Sequence, residues 1–440
     1  MLRDLLAIRR DPLRYLERVV ARYGDLVAFP LPRTPVLLVN DPDGARRVLV
    51  ENARGYSKQT VQYGALGAVT GAGLLTADGP EWRRHRRIAQ PAFHHGSLDA
   101  VADQSARAAQ HLLGQWRDLA PGAVVDVDAA CLRATLDVVG GTLFDADLAA
   151  DGARIVTAVG EALEVVVARA RAPRPAWLPL PSKHRLDRAV ATLDETCARV
   201  VRSRRARGIE PAASDLLALL LRSADPDADG QGGLTDREVR DEIVTLVIAG
   251  HETVASSLGW TLQLLAEHPA VQDRLHAELT QVLEGRRPGW SDVPALRYTR
   301  RVVDEALRLY PPAWVLTRRA VEADVVAGVD VPAGSLVIIS PWLLHRRAEA
   351  WPDPAAFDPD RFAADRAAAP RPDYLPFGVG PRLCIGRDFA LVESVLVLAT
   401  LLQRVRFEPV RRDGAPTRPD VDALVTLRPH GGLPLHVQPR

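Results

Sequence analysis

One uninterrupted helical stretch constrains the fold of this chain more than any other feature. It begins at Thr235, which forms a capping-box pattern with Glu238 three residues later, and it meets its first proline at Pro269. At 1.5 Å per residue, such a helix is about 50 Å long. The sequence therefore predicts one helix that is long enough to cross the whole molecule.

The middle of this helix carries the residues Ala249-Gly-His-Glu-Thr253. Ala249, Gly250 and Thr253 are three and four positions apart and share one face. A glycine inside a helix costs about 1 kcal/mol, so it needs a reason, and the close approach of a ligand is one. The Thr253 hydroxyl can bond back into the helix or donate to that ligand, and Glu252 adds a titratable carboxylate. The alternative interpretation is a polar patch in a core helix.

A second candidate site is the turn from Phe377 to Gly386, which contains Cys384. An apolar helical run follows from Arg387, so a thiolate here would lie at a helix N-terminus, where backbone N–H groups lower its pKa. Gly386 allows a large group to approach, and Phe377 can cover the sulfur. Zinc would need more ligands, and a catalytic cysteine would need a distant histidine, which leaves axial ligation of haem iron. A plain buried cysteine is the alternative.

The spacing Phe-x-x-Gly-x-Arg-x-Cys-x-Gly resembles the haem-binding loop of the cytochromes P-450. The Ala-Gly-x-Glu-Thr motif resembles the oxygen-activation motif of the same family. The resemblance covers essentially the whole chain. It implies a mainly α-helical single domain, residues 1–440, with small β-sheets and a long central helix crossing over haem b. It also implies that Cys384 binds the iron, that Ala249, Gly250, Phe377 and Gly386 lie beside the haem, and that Thr253 and Glu252 deliver protons to dioxygen.

Further positions match family motifs that hold the haem propionates. Trp82 and Arg86 resemble the Trp-x-x-x-Arg helix, although a basic solvated face is the alternative. The remaining propionate candidates are Arg318, His345 and Arg382.

Glu305 and Arg308 match the family's Glu-x-x-Arg motif, and Arg361 matches its third partner. An exposed pair of this kind would contribute well under about 1 kcal/mol. The resemblance implies instead a desolvated network that braces the loop bearing Cys384.

Composition excludes several functional classes. The formal net charge is +1, which gives no electrostatic case for nucleic-acid binding. Three widely spaced cysteines favour a reducing compartment, and no apolar run reaches the length of a membrane-spanning helix. The N-terminus is too charged for a signal peptide, so we expect a cytoplasmic protein. Only two of the 56 basic residues are lysines, Lys58 and Lys183, so arginine clusters carry less weight.

Two loops have functional interpretations of their own. Residues 172–181 contain four prolines together with Trp177 and correspond to the mobile cover of the substrate entrance in the family. This loop is either a peripheral membrane contact or an ordinary packed loop. Residues 225–236 superficially match a calcium loop, but Asp236 replaces the usual final glutamate, which favours a flexible linker.

The local pattern is clear in some segments and absent in others. Residues 124–143 read as one helix, and residues 26–39 read as a pair of strands. Residues 58–78 show no period.

The resemblance also suggests a substrate class and an electron source. Residues 58–76, 309–319 and 425–434 look like bacterial carotene hydroxylases, which implies a lipophilic small molecule such as β-carotene, hydroxylated on a terminal ring. Fatty acids or terpenes are the alternatives, as are a non-catalytic haem-binding sensor and a peroxide-driven hydroxylase. We expect a separate ferredoxin and ferredoxin reductase to supply electrons. The candidates for a basic docking face are Arg83, Arg84, Arg87 and Arg387.

Overall fold

The computed structural model describes residues 7–8, 10–29, 34–120, 122–146, 148, 151–171, 181–210, 213–224, 233–363, 371–412 and 414–440. The Trp177 loop and residues 225–232 of the calcium-like loop lie outside the described residues. Helices dominate and the sheets are small, which confirms the expected fold class. None of the helices in the described part of the chain is long and apolar enough to span a bilayer.

The described α-helices range in length from four residues to 32 residues. In chain order they are Pro12–Tyr23, Pro42–Arg46, Val61–Thr70, Gly79–Ala89, Leu98–Trp116, Val127–Leu143, Gly152–Arg171, Pro181–Arg207, Leu216–Ser223, Asp236–Glu267, Pro269–Leu283, Arg297–Leu309, Pro341–Leu344 and Arg387–Leu402. We call Asp236–Glu267 the central helix.

The strands are short. They are β1 (Leu26–Phe29), β2 (Val36–Val39), β3 (Tyr56–Ser57), β4 (Ala123–Asp126), β5 (Leu316–Ala320), β6 (Asp324–Val326), β7 (Val329–Val331), β8 (Leu336–Ile339), β9 (Val405–Pro409), β10 (Arg411–Arg412), β11 (Ala415–Pro416), β12 (Val421–Ala423), β13 (Leu427–Pro429) and β14 (Pro434–Pro439).

The largest sheet has the order β1-β2-β8-β5-β3, in which β2 and β8 are parallel and the other pairs are antiparallel. A three-stranded sheet has the order β4-β14-β9. The pairs β6-β7, β10-β11 and β12-β13 are two-stranded. We call β12, β13 and the loop between them the C-terminal hairpin, residues 421–429.

The central helix forms where its capping signals place it. Thr235 Oγ1 accepts from the backbone N–H of Glu238 at 3.2 Å, and Glu238 Oε2 accepts from the backbone N–H of Thr235 at 2.7 Å. The helix is 32 residues long, and the next helix begins at Pro269, which cannot continue its hydrogen bonds. The predicted capping box and long helix are therefore confirmed.

Two of the three hydrophobic clusters among the described residues pack against this helix and fix its position. One cluster packs its C-terminal half against the helices Leu98–Trp116, Arg297–Leu309 and Arg387–Leu402. A second packs its N-terminal half against the helices Gly152–Arg171 and Pro181–Arg207, and the third lies around the five-stranded sheet. Burial of this apolar surface is the main stabilising contribution to the fold.

Candidate active site

Cys384 lies in a turn that its own backbone closes. Its N–H donates to the carbonyl of Phe377 at 3.0 Å, and helix Arg387–Leu402 begins three residues later with Gly386 as its N-cap. The Cys384 side chain has accessible surface. Burial nevertheless raises the pKa of its thiol. The side chain is thus deep in the protein and still accessible, as expected for one that borders an internal cavity.

The direction of this pKa differs from the sequence-based expectation of a lowered value. Burial outweighs the backbone N–H of Gly386 and the charges of Arg86, Arg387 and Lys58, all of which lower the pKa of Cys384. Cys197 has no such set of cations, and burial raises the pKa of its thiol to about 12. The cations around Cys384 would stabilise its thiolate. Cys384 is therefore better placed than Cys197 to bind a positively charged metal ion.

Cations from four segments converge near Cys384. Arg86 donates to the carbonyl of Leu383 at 3.0 Å, within the turn itself. Arg382 donates to the carbonyl of Ala77 at 2.9 Å and forms an ion pair with Asp78. The Arg382 guanidinium also lies 3.9 Å from the centre of the Trp82 ring. The structure thus brings Trp82, Arg86 and Arg382 together with the Cys384 turn.

Two further cations of this group are buried. Arg318 is 7% exposed and donates to the carbonyl of Thr317 at 2.9 Å. Lys58 is 9% exposed and donates to the carbonyl of Leu75 at 2.8 Å. Burial, and then the charges of Arg318 and Arg382, hold the pKa of Lys58 well below its usual value. Asp78 offsets part of this repulsion, and a further anion among these buried charges would relieve the rest.

His345 is the exception among the predicted propionate ligands. Its Nδ1 lies 3.2 Å from the carbonyl of Arg308, and its Nε2 accepts from the backbone N–H of Leu375 at 2.8 Å. Burial lowers its pKa to about 3, which keeps the ring neutral. Both ring nitrogens are used by the backbone, so the prediction that His345 binds the cofactor is wrong. Its contacts brace the segment that leads into the Cys384 turn.

The predicted three-residue network is confirmed and is fully buried at its centre. Arg308 Nε donates to Glu305 Oε2 at 2.7 Å, and Arg361 Nε donates to Glu305 Oε1 at 3.3 Å. The side chains of Glu305 and Arg308 are both 0% exposed. The other Arg308 N–H groups donate to Glu305 Oε1 and to the carbonyls of His345, Pro354 and Ala356.

The central helix contributes one partly exposed face in the middle of a buried stretch. Between residues 241 and 266, every residue is buried except Ala249, Gly250 and Thr253. Thr253 Oγ1 donates to the carbonyl of Ala249 at 2.7 Å, so its hydroxyl oxygen remains available as an acceptor on this face. The shared face predicted from spacing is confirmed.

The mid-helix glycine has a different explanation from the one predicted. A Cβ at Gly250 would lie 2.8 Å from Val139 Cγ2, on helix Val127–Leu143. Gly250 is therefore required for close packing of two helices, rather than by contact with a ligand. A Cβ at Gly386 would lie 3.7 Å from the ring of Phe93, an ordinary contact, so nothing within the described residues crowds that glycine.

Glu252 points toward the C-terminal hairpin. It is 7% exposed, accepts from Thr426 Oγ1 at 3.2 Å through Oε1, and lies 3.6 Å from Arg428 Nη1 through Oε2. Arg428 also pairs with Asp128, at the start of helix Val127–Leu143. The sequence analysis identified Glu252 but missed these partners, because they are distant in the chain.

The hairpin also packs against the segment that leads into β5. Trp314 Nε1 donates to the carbonyl of Leu424 at 2.9 Å, and the backbone N–H of Leu427 donates to the carbonyl of Pro312 at 3.3 Å. These bonds join the hairpin to the segment before β5. Four partly exposed apolar residues lie in the hairpin loop and at the start of β5: Val315, Leu316, Leu424 and Val425.

The donor set fits haem b. It contains a cavity-facing thiol for the iron, a ring of cations that lacks enough carboxylates within the described residues, and an apolar wall. Two propionates would supply negative charge beside Lys58, Arg318 and Arg382. Lys58 was missed as a site residue, although a rare lysine in an arginine-rich chain was a signal that could have found it.

Comparisons with known proteins agree with this geometry. The family model described as "Cytochrome P450" matches residues 3–434. Cyclooctatin synthase of Streptomyces melanosporofaciens is 37% identical, over 98% of this chain and 92% of that protein. Pentalenene oxygenase of Streptomyces avermitilis is 35% identical, over 91% of this chain and 88% of that protein. The crystal structure of CYP175A1 from Thermus thermophillus is similar with a TM-score of 0.80 and 32% identity, covering 99% of this chain and 97% of that one.

Proposed function

The chain belongs to the cytochrome P450 family, and from this premise we propose that its substrate is an apolar cyclic terpene. As a member of the family it is a monooxygenase that carries haem b, binds a lipophilic substrate and receives electrons from a redox partner. When bound, the haem supplies the activation of dioxygen. Relatives that are named as oxygenases argue against the alternative of a non-catalytic haem-binding sensor.

In this proposal the residues around the cavity divide into three groups. Cys384 would ligate the iron, and Phe377, Ala249, Gly250 and Gly386 would lie along the haem. Lys58, Arg86, Arg318 and Arg382 would hold the propionates by charge-assisted hydrogen bonds, and Trp82 would add its indole N–H. Thr253 and Glu252 form the third group, which moves protons.

Thr253 and Glu252 have separate tasks in proton delivery. The Thr253 hydroxyl is anchored on Ala249 and offers its oxygen to a water or a ligand in the cavity. Glu252 faces the other way, toward Thr426 and Arg428, where it can receive a proton from the protein interior. A proton passes from the Glu252 carboxyl toward the Thr253 side, and the carboxylate is then reprotonated.

The observation that carries the substrate class is the apolar wall formed by the hairpin and the start of β5. Val315, Leu316, Leu424 and Val425 are uncharged and partly exposed, and the Thr426–Glu252 bond ties the hairpin to the central helix one residue before Thr253. An apolar guest gains about 25 cal/mol per Å² of surface that it buries there. The terpene-oxygenase relatives support the same class.

A carotenoid such as β-carotene is the second candidate. It is favoured by a plant relative, LUTEIN DEFICIENT 5 of Arabidopsis thaliana, which is 34% identical over 94% of this chain. Ring hydroxylation of a carotenoid would use the same wall and the same proton-delivery residues.

The test offers pentalenene, β-carotene and a long fatty acid in parallel to the purified holoprotein with a ferredoxin and its reductase. We expect a low-spin to high-spin shift and an oxygenated product with the cyclic terpene. Product from β-carotene alone would select the second candidate, and turnover of the fatty acid alone would refute both. Val425→Asp should weaken terpene binding at least about tenfold, since it buries a charge. Val325→Asp, at a valine that is 54% exposed, is the matched control.

We further propose that residues 1–440 act as a single cytoplasmic domain that accepts electrons from a separate ferredoxin. The docking face would include the exposed Arg83, Arg87 and Arg387. Arg84 contributes less, because it pairs with Glu238.

A further inference from the structure

A buried charge cluster lies behind Glu252, on the side away from the cavity. Arg428 bridges the two carboxylates of this cluster, since Nη1 lies 3.6 Å from Glu252 Oε2 and Nη2 donates to Asp128. Asp128 and Arg428 are both 8% exposed. Three separate elements meet here: the central helix, the helix Val127–Leu143 and the C-terminal hairpin.

Three polar atoms of this cluster are buried and have no hydrogen-bond partner among the described residues. They are Arg428 Nη1, Asp128 Oδ1 and His251 Nε2. His251 is close enough to feel the charges of both Glu252 and Arg428. Buried polar atoms are nearly always hydrogen-bonded, and a polar pocket with several such atoms is a site that binds water.

The cluster also reaches solvent. Asp126 is exposed, and its Oδ1 accepts from the backbone N–H groups of Asp128 at 3.1 Å and Ala129 at 3.3 Å. A surface carboxylate therefore lies two residues from the buried one. A Cβ at Gly259 would lie 3.8 Å from Asp128 Oδ1, so this glycine leaves that oxygen uncrowded on the side of the central helix.

Burial raises the pKa of Asp128 to about 6. The Arg428 guanidinium opposes this rise, and the charges of Asp126 and Glu252 add to it. Cys131 on the same helix is another titratable neighbour of Asp128 among the described residues, and burial raises the pKa of its thiol and keeps it protonated. A carboxyl group that titrates near neutral pH can both donate and regain a proton under working conditions.

We propose that Asp128 reloads Glu252 with protons across a water-bridged cluster centred on Arg428, and is itself reprotonated from solvent past Asp126. This inference rests on the proposed role of Glu252. The Asp128 carboxyl loses its O–H proton, the Glu252 carboxylate gains it, and Asp128 then takes one proton from solvent; no electrons move. Arg428 keeps its protons throughout and only orients the two carboxylates, because a guanidinium does not deprotonate in proteins.

The test compares holoenzyme variants by infrared difference spectroscopy and by turnover. A protonated carboxyl band should titrate with a midpoint at about pH 6 in the natural protein and be lost in Asp128→Asn. Product formation by Asp128→Asn should fall about tenfold or more, with a larger solvent deuterium isotope effect and unchanged substrate affinity. Asp128→Glu, which restores a carboxyl, should recover both signals and also serves if the asparagine variant folds poorly.

Asp422→Asn, at an exposed carboxylate of the same hairpin that pairs with His430, is the matched control and should change neither signal. Glu252→Gln tests the role of Glu252 separately from the role of Asp128. If Glu252→Gln uncouples turnover while Asp128→Asn leaves the isotope effect and the titrating band unchanged, Asp128 is not the donor and the role of Glu252 stands. If Glu252→Gln has no effect on coupling, the proposed role of Glu252 itself fails.

Discussion

Replacing Glu305 by glutamine should be among the most damaging single-atom changes in the molecule. The Glu305 carboxylate accepts four hydrogen bonds, from Arg308 Nε at 2.7 Å, Arg308 Nη2 at 2.8 Å, the backbone N–H of Asp358 at 2.9 Å and Arg361 Nε at 3.3 Å. Three of them converge on Oε1, so the amide nitrogen of Gln would take the place of Oε2 and face Arg308 Nε as a second donor.

The magnitude follows from burial. The lost charge-assisted bond is worth about 1.5–3 kcal/mol. The substitution also removes the only carboxylate paired with the fully buried Arg308 among the described residues, and breaking a buried pair in this way costs about 3–5 kcal/mol in total. The expected loss of unfolding free energy is therefore about 3–5 kcal/mol.

The damage should extend to the Cys384 turn. Arg308 Nη1 holds the carbonyl of His345 at 3.0 Å, and His345 Nε2 holds the N–H of Leu375 at 2.8 Å. The carbonyl of Phe377, two residues further on, holds the N–H of Cys384. We therefore expect a lower haem content in Glu305→Gln as well as a lower stability.

Urea unfolding and the carbon monoxide difference spectrum measure these two effects. Glu51→Gln is the matched control: its carboxylate is 47% exposed and pairs with Arg46, and its loss should cost less than about 1 kcal/mol. If Glu305→Gln unfolds like this control and keeps its full haem content, the buried network does not brace the site.

Three further predictions concern the cavity. Cys384→Ser should abolish the thiolate-type carbon monoxide spectrum, because a neutral hydroxyl donates less charge, whereas Cys131→Ala should keep that spectrum; the opposite result would reassign the ligand. Thr253→Ala should retain haem but release more peroxide per product, measured against oxygen consumed, and unchanged coupling would remove Thr253 from proton delivery. Lys58→Met should release haem to a scavenger protein about 10–100-fold faster, as expected for one lost charge-assisted bond, and the exposed Lys183→Met should not.

The sequence predicted correctly those helices whose ends are determined by neighbouring residues in the chain. The capping box at Thr235 and the proline at Pro269 delimit the central helix in the sequence as in the structure. The pattern of residues 124–143 was misread at its start, because residues 123–126 pair with β14, more than 300 residues later, and Asp126 then caps the helix. Helix Val61–Thr70 was missed because its glycines hide the period.

The sequence predicted many residues of the site but few of the contacts that they make. The motif around Cys384 identified the turn, but sequence could not indicate that the backbone uses both nitrogens of His345. The sequence also could not indicate that Gly250 leaves room for the side chain of Val139. Arg428 was missed for the same reason: its role depends on neighbours that only the folded chain brings near. Long-range pairing, rather than local preference, decides these contacts.

Adjacent residues of the C-terminal hairpin have two different roles: some line the apolar wall, and others contact buried carboxylates. Leu424 and Val425 belong to the apolar wall, whereas Thr426 and Arg428 hold Glu252 and Asp128. The carbonyl of Leu427 fastens the hairpin to the central helix by accepting from Ser256 Oγ and Trp260 Nε1. If this proton path operates as proposed, changing the wall for a new substrate should also alter the rate at which protons reach the haem. Variants chosen at 424 and 425 for altered selectivity should waste more reducing equivalents as peroxide, and compensating changes would be sought at Thr426 or on the facing turn of the helix.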